Sequence, residues 1–285
     1  MIDNKYKEAI EANIEVHSAM ADDYNTVEPH FKPESIKRVL DQIEKIYKDT
    51  SFEKVLDLGC GTGFMIDILA PFAKEITGVD VTQLMLDKVK KPLNTNLKLD
   101  LINSDTGTVN LKNEYYDLAT AYTFLDHLYD MIPTFKNCYN SLKSGGVFYA
   151  DLSPNAYFWD EIKKLNPQGK YDPTIDREIK AIYSKDEEIE AQFGVKKSTF
   201  TKAEFQKHIE GGLREELLKS QLESVGFKNI QFIYHWFIGQ SHLINNKNIK
   251  KEKRFKQAET IHNCLTKSLP ISRNLFKYIG FIAYK

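Results

Sequence analysis

Three cysteines in 285 residues, Cys60, Cys138 and Cys264, are too few and too scattered for a disulfide framework, and they lack metal-ligand spacing. A reducing cytoplasm is the expected setting, and no metal is expected. Charge of one sign is also missing: 39 Lys and Arg stand against 40 Asp and Glu, a net charge of −1, which leaves no broad field for a polyanion. Nucleic acid is therefore not the expected partner. The local exception is Lys250, Lys251, Lys253, Arg254 and Lys256, which read as one solvated helix face. Long apolar runs are absent as well. Residues 230–239 are too short to cross a bilayer, are broken by Gln231 and His235, and read as a sixth strand. The first ten residues alternate charged with apolar side chains and hold no signal-peptide core, so no membrane insertion is expected.

What the chain does have is VLDLGCGTG at 55–63. Val55, Leu56 and Leu58 form a short buried strand that passes through Asp57 into the turn Gly59-Cys60-Gly61-Thr62-Gly63 and then into a helix. Such turns leave N–H groups at a helix N-terminus and let a ligand approach the backbone. The spacing rejects two common ligands. A dinucleotide fingerprint needs a glycine at position 64, which is Phe64, and a P-loop needs a lysine that does not follow Gly63. With Asp57 just before it, the loop disfavours phosphate and suits a cationic ligand.

A second apolar run, 75–79, ends at Asp80, about 20 residues past the loop, where a doubly wound fold places the carboxylate that holds a ribose. A third strand at 97–102 leads to Asp105, which can accept from an adenine amino group. Further strands follow at 116–121 and 147–151, with helical segments at 83–90 and 130–142 between them. The alternation of strand and helix is regular.

VLDLGCGTG at 55–63, TGVD at 77–80, NSD at 103–105, YDLATAYTFLDHL at 116–128, LKSGGVF at 142–148 and LESVGF at 222–227 together resemble the class I S-adenosylmethionine-dependent methyltransferases. The resemblance is close over about 52–151 and loose on the flanks. It implies an α/β fold with a Rossmann-like seven-stranded sheet, mainly parallel with an antiparallel last strand. It also implies S-adenosyl-L-methionine as cofactor and S-adenosyl-L-homocysteine as product. Carried over by resemblance, Gly59, Gly61 and Gly63 pack under the methionine part with Asp57 near the loop, Asp80 takes the ribose and Asp105 the adenine. Val81 and Met85 pack on the adenine ring, and Thr123 sits beside the methionine end.

The flanks are read more coarsely. Residues 1–50 form an N-terminal helical extension, 51–153 the cofactor-binding core, 154–212 a cap insertion, and 213–285 the rest of the core with a helical insertion at 251–269. In the first helix Tyr6, Ile10, Ile14, His17 and Ala21 recur at helical spacing and predict its apolar face. The segment 21–24 resembles one that closes over the cofactor in small-molecule members of the family, which would bring Tyr24 to the methionine end. A second helix follows Pro33, with Ile36, Val39, Leu40, Ile43 and Ile46 turned inward. In 154–212 the stretches 178–183, 188–193 and 198–209 lean toward β, so a small antiparallel cap sheet is predicted. Tyr157, Phe158, Trp159 and Tyr171, just before it, would suit an apolar or ring-bearing acceptor.

A methyl donor that is already electrophilic leaves the protein to align a nucleophile and exclude water, with a base optional. His127, just after the fourth strand, is the first candidate base, and His17 is the second. The expected acceptor is a small molecule methylated at a hydroxyl, amine or carbon, and a homodimer is compatible with the cap. A protein or RNA methyltransferase, or a cofactor-binding member that transfers no methyl group, are the alternatives. Methyltransferases acting on nucleic-acid amino groups carry Asp/Asn-Pro-Pro-aromatic after the fourth strand; this chain has Ala121-Tyr122-Thr123-Phe124.

Overall fold

The computed structural model describes residues 4–92, 96–183 and 185–285. Seven strands form one sheet: β1 (Lys54–Leu58), β2 (Glu75–Asp80), β3 (Lys98–Asn103), β4 (Tyr116–Tyr122), β5 (Leu142–Pro154), β6 (Lys228–Phe237) and β7 (Phe276–Tyr284). Their order is β3-β2-β1-β4-β5-β7-β6. The first five pair in parallel, and β7 inserts antiparallel to both β5 and β6. Val55, Leu56 and Leu58 of β1 are all fully buried, because helices cover both faces of the sheet and each face has its own apolar cluster. The chain leaves β1 toward β2 and β3 on one side and returns to β4 on the other. The crevice for a ligand therefore opens at the carboxyl ends of β1 and β4.

The helix Pro33–Asp49 starts on its proline and buries Val39, Ile43 and Ile46 against the sheet, while Ile36 stays exposed. From its first turns Arg38 reaches into the sheet, where its guanidinium donates to Asp151 at 2.7 Å and to the Tyr122 hydroxyl at 3.0 Å. Asp151 is fully buried and also accepts from the Tyr149 hydroxyl, so its charge is matched by several donors.

Two expectations are corrected. The N-terminal helix spans Asn4–Met20, but its buried stripe is Ala9, Ala12, Val16 and Met20, and Ile14 faces solvent. Ala12, Val16 and Met20 of that stripe meet Ile189, Val195, Phe200 and Ala203 of the cap rather than the sheet. The cap itself is helical, not a sheet: its helices are Ala156–Lys163, Pro173–Tyr183, Lys185–Phe193, Lys197–Ala203 and Phe205–His208, and the described residues of 156–212 hold no strand. Ile175, Ile179 and Ile182 sit at helical spacing among strong helix formers and pack together on Phe158 and Ile162. The isoleucines that suggested strands are a helix stripe.

Candidate active site

Gly59, Gly61 and Gly63 all have positive φ, which glycine adopts without strain. Gly59 and Cys60 donate their N–H groups to Val79 O at 2.8 and 3.1 Å, and Gly63 donates to Cys60 O at 2.9 Å. Gly61 donates to Asp80 Oδ2 at 2.9 Å. These N–H groups are thus turned into the protein, not toward a ligand, and the loop offers a cradle of Cα surface that no phosphate would find useful. A Cβ on Gly59 would fall 2.0 Å from the Phe124 ring, so that ring lies directly on the glycine.

Asp80 ends β2 with both oxygens fixed, Oδ2 by Gly61 N–H and Oδ1 by Thr82 N–H at 2.8 Å. Burial raises its pKa against these donors. Gly59, Gly61, Asp80, Val81, Met85 and Asp105 all line one cleft, with Thr123 and Tyr24 at its end. Thr123 has φ +48° and its N–H donates to Asp151 O at 3.0 Å, which holds the turn after β4 open toward the cleft. The Tyr24 hydroxyl is hydrogen-bonded with Thr123, and burial pushes its phenol well up.

Asp57 and Gly63 lie behind this cleft rather than in its lining. Asp57 is buried under the loop, where it accepts from the Thr120 hydroxyl at 2.7 Å while its Oδ2 has no partner. Burial pushes its carboxyl up to about 7. Gly63 is the N-cap of the helix Phe64–Leu69, packed against Val89. A buried carboxylate with one free oxygen beneath the loop and two more carboxylates in the cleft fit a ligand that carries a sulfonium, a ribose and an adenine. Among the described residues no cluster of His, Cys, Asp or Glu is placed to hold a metal ion.

The N-terminal helix closes the cleft. The Tyr6 hydroxyl donates to Asp105, and Asn13 Nδ2 donates to His127 O at 3.1 Å. Sequence periodicity had put Tyr6 on a packing face; that its hydroxyl meets Asp105 could not be read from spacing. His17 and His127, 110 positions apart, are brought together with ring centroids 4.9 Å apart. Each ring has Nδ1 against a backbone carbonyl, Asn13 O at 2.9 Å for His17 and Ala203 O at 3.1 Å for His127. A carbonyl only accepts, so each Nδ1 carries the hydrogen and Nε2 is left as the basic nitrogen. Burial, then the neighbouring His127, lowers the His17 pKa to about 4.

Beyond this histidine pair lies a second cavity of about 370 Å³. It shares His17, Tyr24, Thr123 and His127 with the cleft, so the two spaces meet at that point. Of the four aromatic residues expected to wall an acceptor site, only Trp159 reaches it. Tyr157 lies under Arg273 at the surface, Phe158 is buried in the cap, and Tyr171 packs beside it. Charged groups are set into a lining that also holds Val16, Met20, Ile189, Phe200, Trp236 and Ile244: Lys207 donates to Glu204, Lys277 donates to Glu178, and the Tyr278 hydroxyl and Asp126 lie on the same cavity. Spacing along the chain does not mark these residues: Lys277 of β7 meets Glu178 of the cap 99 positions away, and the local pair Lys207–Glu204 reaches the chamber only through the packing of the cap.

The family described as "Methyltransferase domain" matches residues 56–150. The chain is 28% identical over 57% of its length to a ubiquinone biosynthesis O-methyltransferase of Yersinia enterocolitica, and covers 72% of that protein. It is 30% identical over 42% of its length to the protein of the same name from Aliivibrio fischeri, of which it spans 56%. In fold it is similar to an S-adenosylmethionine-dependent methyltransferase from Archaeoglobus fulgidus (TM-score 0.50, 17% identity, 88% of this chain and 95% of that one). It is also similar to a phosphoethanolamine N-methyltransferase from Haemonchus contortus, solved with phosphomonomethylethanolamine and S-adenosylhomocysteine (TM-score 0.55, 13% identity, 100% and 60%). Among the described residues no helix is long and apolar enough to cross a membrane.

Proposed function

We propose that the chain, as a class I S-adenosylmethionine-dependent methyltransferase, moves the methyl group of its cofactor to a hydroxyl, amine or carbon of a small molecule held in the chamber under the cap. The observation that carries this reading is the junction: cleft and chamber share Tyr24, Thr123, His17 and His127.

Bound S-adenosylmethionine supplies a sulfonium whose methyl carbon is electrophilic without help from an acid. Asp80 would hold the ribose, Asp105 the adenine amino group, and Val81 and Met85 the faces of the ring. The Gly59 and Gly61 cradle and Thr123 would hold the methionine part. The N-terminal helix covers the cleft, which excludes water from the transfer. The cap and the second half of this helix then fix the acceptor in line with the methyl group. Where the nucleophile is a hydroxyl, Nε2 of His127 would take its proton, with Nε2 of His17 as second base. His17, uncharged near pH 7, is able to accept one.

Incubation with S-adenosyl-[methyl-³H]methionine and a panel of hydroxyl, amine and carbon acceptors tests the reading. Label is expected in an extracted small-molecule product. Retained cofactor binding with no transfer to any acceptor would leave a cofactor-binding protein that methylates nothing in this class. His127→Ala is expected to keep its affinity for S-adenosylhomocysteine and lose turnover; turnover equal to wild type across pH would remove His127 as a base.

A further inference from the structure

One carboxylate of the chamber has a buried oxygen that no group of the protein satisfies. Asp126, in the turn Leu125–His127, is 7% exposed and lines the chamber, and its Oδ1 is closed to solvent without a hydrogen-bond partner. The other buried acids of the chamber are matched: Glu178 accepts from Lys277, and Glu204 from Lys207 and His208. With Glu28 and Glu34, Lys32 and Arg177 also on the lining, acids outnumber cations by one, and the buried oxygen without a partner is on Asp126. An unpaired buried carboxylate is costly and is a candidate for a ligand contact.

Its position is informative. The charge of Asp126 acts on the Tyr24 hydroxyl, on Lys207 and on the Tyr278 hydroxyl, and Tyr24 also feels Asp80 in the cofactor cleft. Asp126 thus stands on the chamber side of the junction, beside His127. Across the same chamber Trp159 Nε1 is a buried donor that also has no partner.

We infer that Asp126 receives the nucleophilic end of the acceptor, a hydroxyl or amine that donates to its carboxylate, while Trp159 donates to an oxygen elsewhere on the same molecule. This rests on the methyl-transfer reading and narrows it. As the O–C or N–C bond forms and the S–C bond breaks, the proton of the donor passes by way of the carboxylate to Nε2 of His127, the base of the reading above. The products are then a methyl ether or methylamine and S-adenosylhomocysteine. A carbon nucleophile has no proton donor to offer Asp126, and an anionic group would be repelled there, so both are excluded as the reacting end.

The test uses the full chain with Asp126→Asn and Asp126→Leu. Calorimetry with S-adenosylhomocysteine is expected to give wild-type affinity in both variants; if the wild type itself fails to bind, the methyltransferase reading fails first. Without ligand, Asp126→Asn is expected to melt above wild type, because an unpaired buried charge has been removed. A lower melting temperature shows that the carboxylate is a structural partner and overturns the inference, whatever the acceptor. Labelled-methyl transfer to catechol, ethanolamine and indole gives the activity arm. For any hydroxyl or amine probe that wild type methylates, kcat/KM in Asp126→Leu is expected to fall at least about tenfold, the loss of one hydrogen bond to a charged group. Equal kcat/KM in variant and wild type, or transfer to indole alone, overturns it.

Discussion

Replacing Asp80 by asparagine is the most direct perturbation of the cofactor site. Its carboxylate already accepts Gly61 N–H on Oδ2 at 2.9 Å and Thr82 N–H on Oδ1 at 2.8 Å. Whichever way the asparagine amide turns, its NH₂ faces one of these donors, so the loop loses a bond. A ribose would add two hydroxyl donors, each worth about 1.5–3 kcal/mol on a charged acceptor. Asparagine keeps part of this, and a net loss of about 3 kcal/mol corresponds to a Kd for S-adenosylhomocysteine roughly 100-fold weaker. Titration calorimetry reads the Kd directly, and thermal melting shows whether the variant still folds. A ligand lacking the ribose 2′-hydroxyl separates the lost ribose bond from the disturbed loop: wild type loses affinity with it, and the variant loses little more. A folded Asp80→Asn protein whose Kd moves by less than about threefold, ~0.7 kcal/mol, would refute the ribose assignment.

Gly59→Ala places a Cβ 2.0 Å from the Phe124 ring at a φ of +68°. A stability loss of about 2–4 kcal/mol is expected in urea unfolding, and Phe124→Ala in the same chain should recover part of it; a neutral Gly59→Ala would show that the ring is free to move away. His30 is 4% exposed among Phe31, Phe64 and Tyr122, and burial lowers its pKa from 6.5 to about 4. Between those pH values the unfolded chain binds a proton that the folded one does not, so stability present above pH 6.5 is lost as pH falls toward 4, by up to about 3 kcal/mol. His30→Phe is expected to flatten that dependence in urea midpoints measured at pH 7 and pH 4.5, and an unchanged slope would place the acid sensitivity elsewhere. Tyr6→Phe removes the hydroxyl that donates to Asp105 and is expected to speed amide exchange in the helix Asn4–Met20 of the ligand-free protein. Unchanged protection would mean that the apolar stripe against the cap holds the helix unaided.

Local pattern was enough for the core. A strand of buried apolar residues, glycines where φ is positive, and an acidic residue about 20 positions on are all short-range signals, and the structure turns them into β1, the loop and Asp80 at the end of β2. Where signals were ambiguous, contact settled them. In the helix Asn4–Met20 two stripes share the 3.6 period, and the one containing Val16 and Met20 is buried only because Phe200 and Ala203 arrive from the cap. In 173–193 isoleucine favoured strands on local preference, but the glutamates, lysines and alanines around it are helix formers, and no neighbouring strand was there to pair with.

The sequence by itself therefore determined the sheet, the glycine loop and the kind of cofactor, because each depends on backbone conformation and spacing within a few tens of residues. Only the tertiary structure decided the acceptor side. The meeting of His17 with His127, the closure of Tyr6 on Asp105 and the pairing of Lys277 with Glu178 all arise between segments far apart in the chain, and packing alone leaves an oxygen of Asp126 without a partner. Whether a buried charge has a partner is a property of the packed interior, and no spacing along a chain records it.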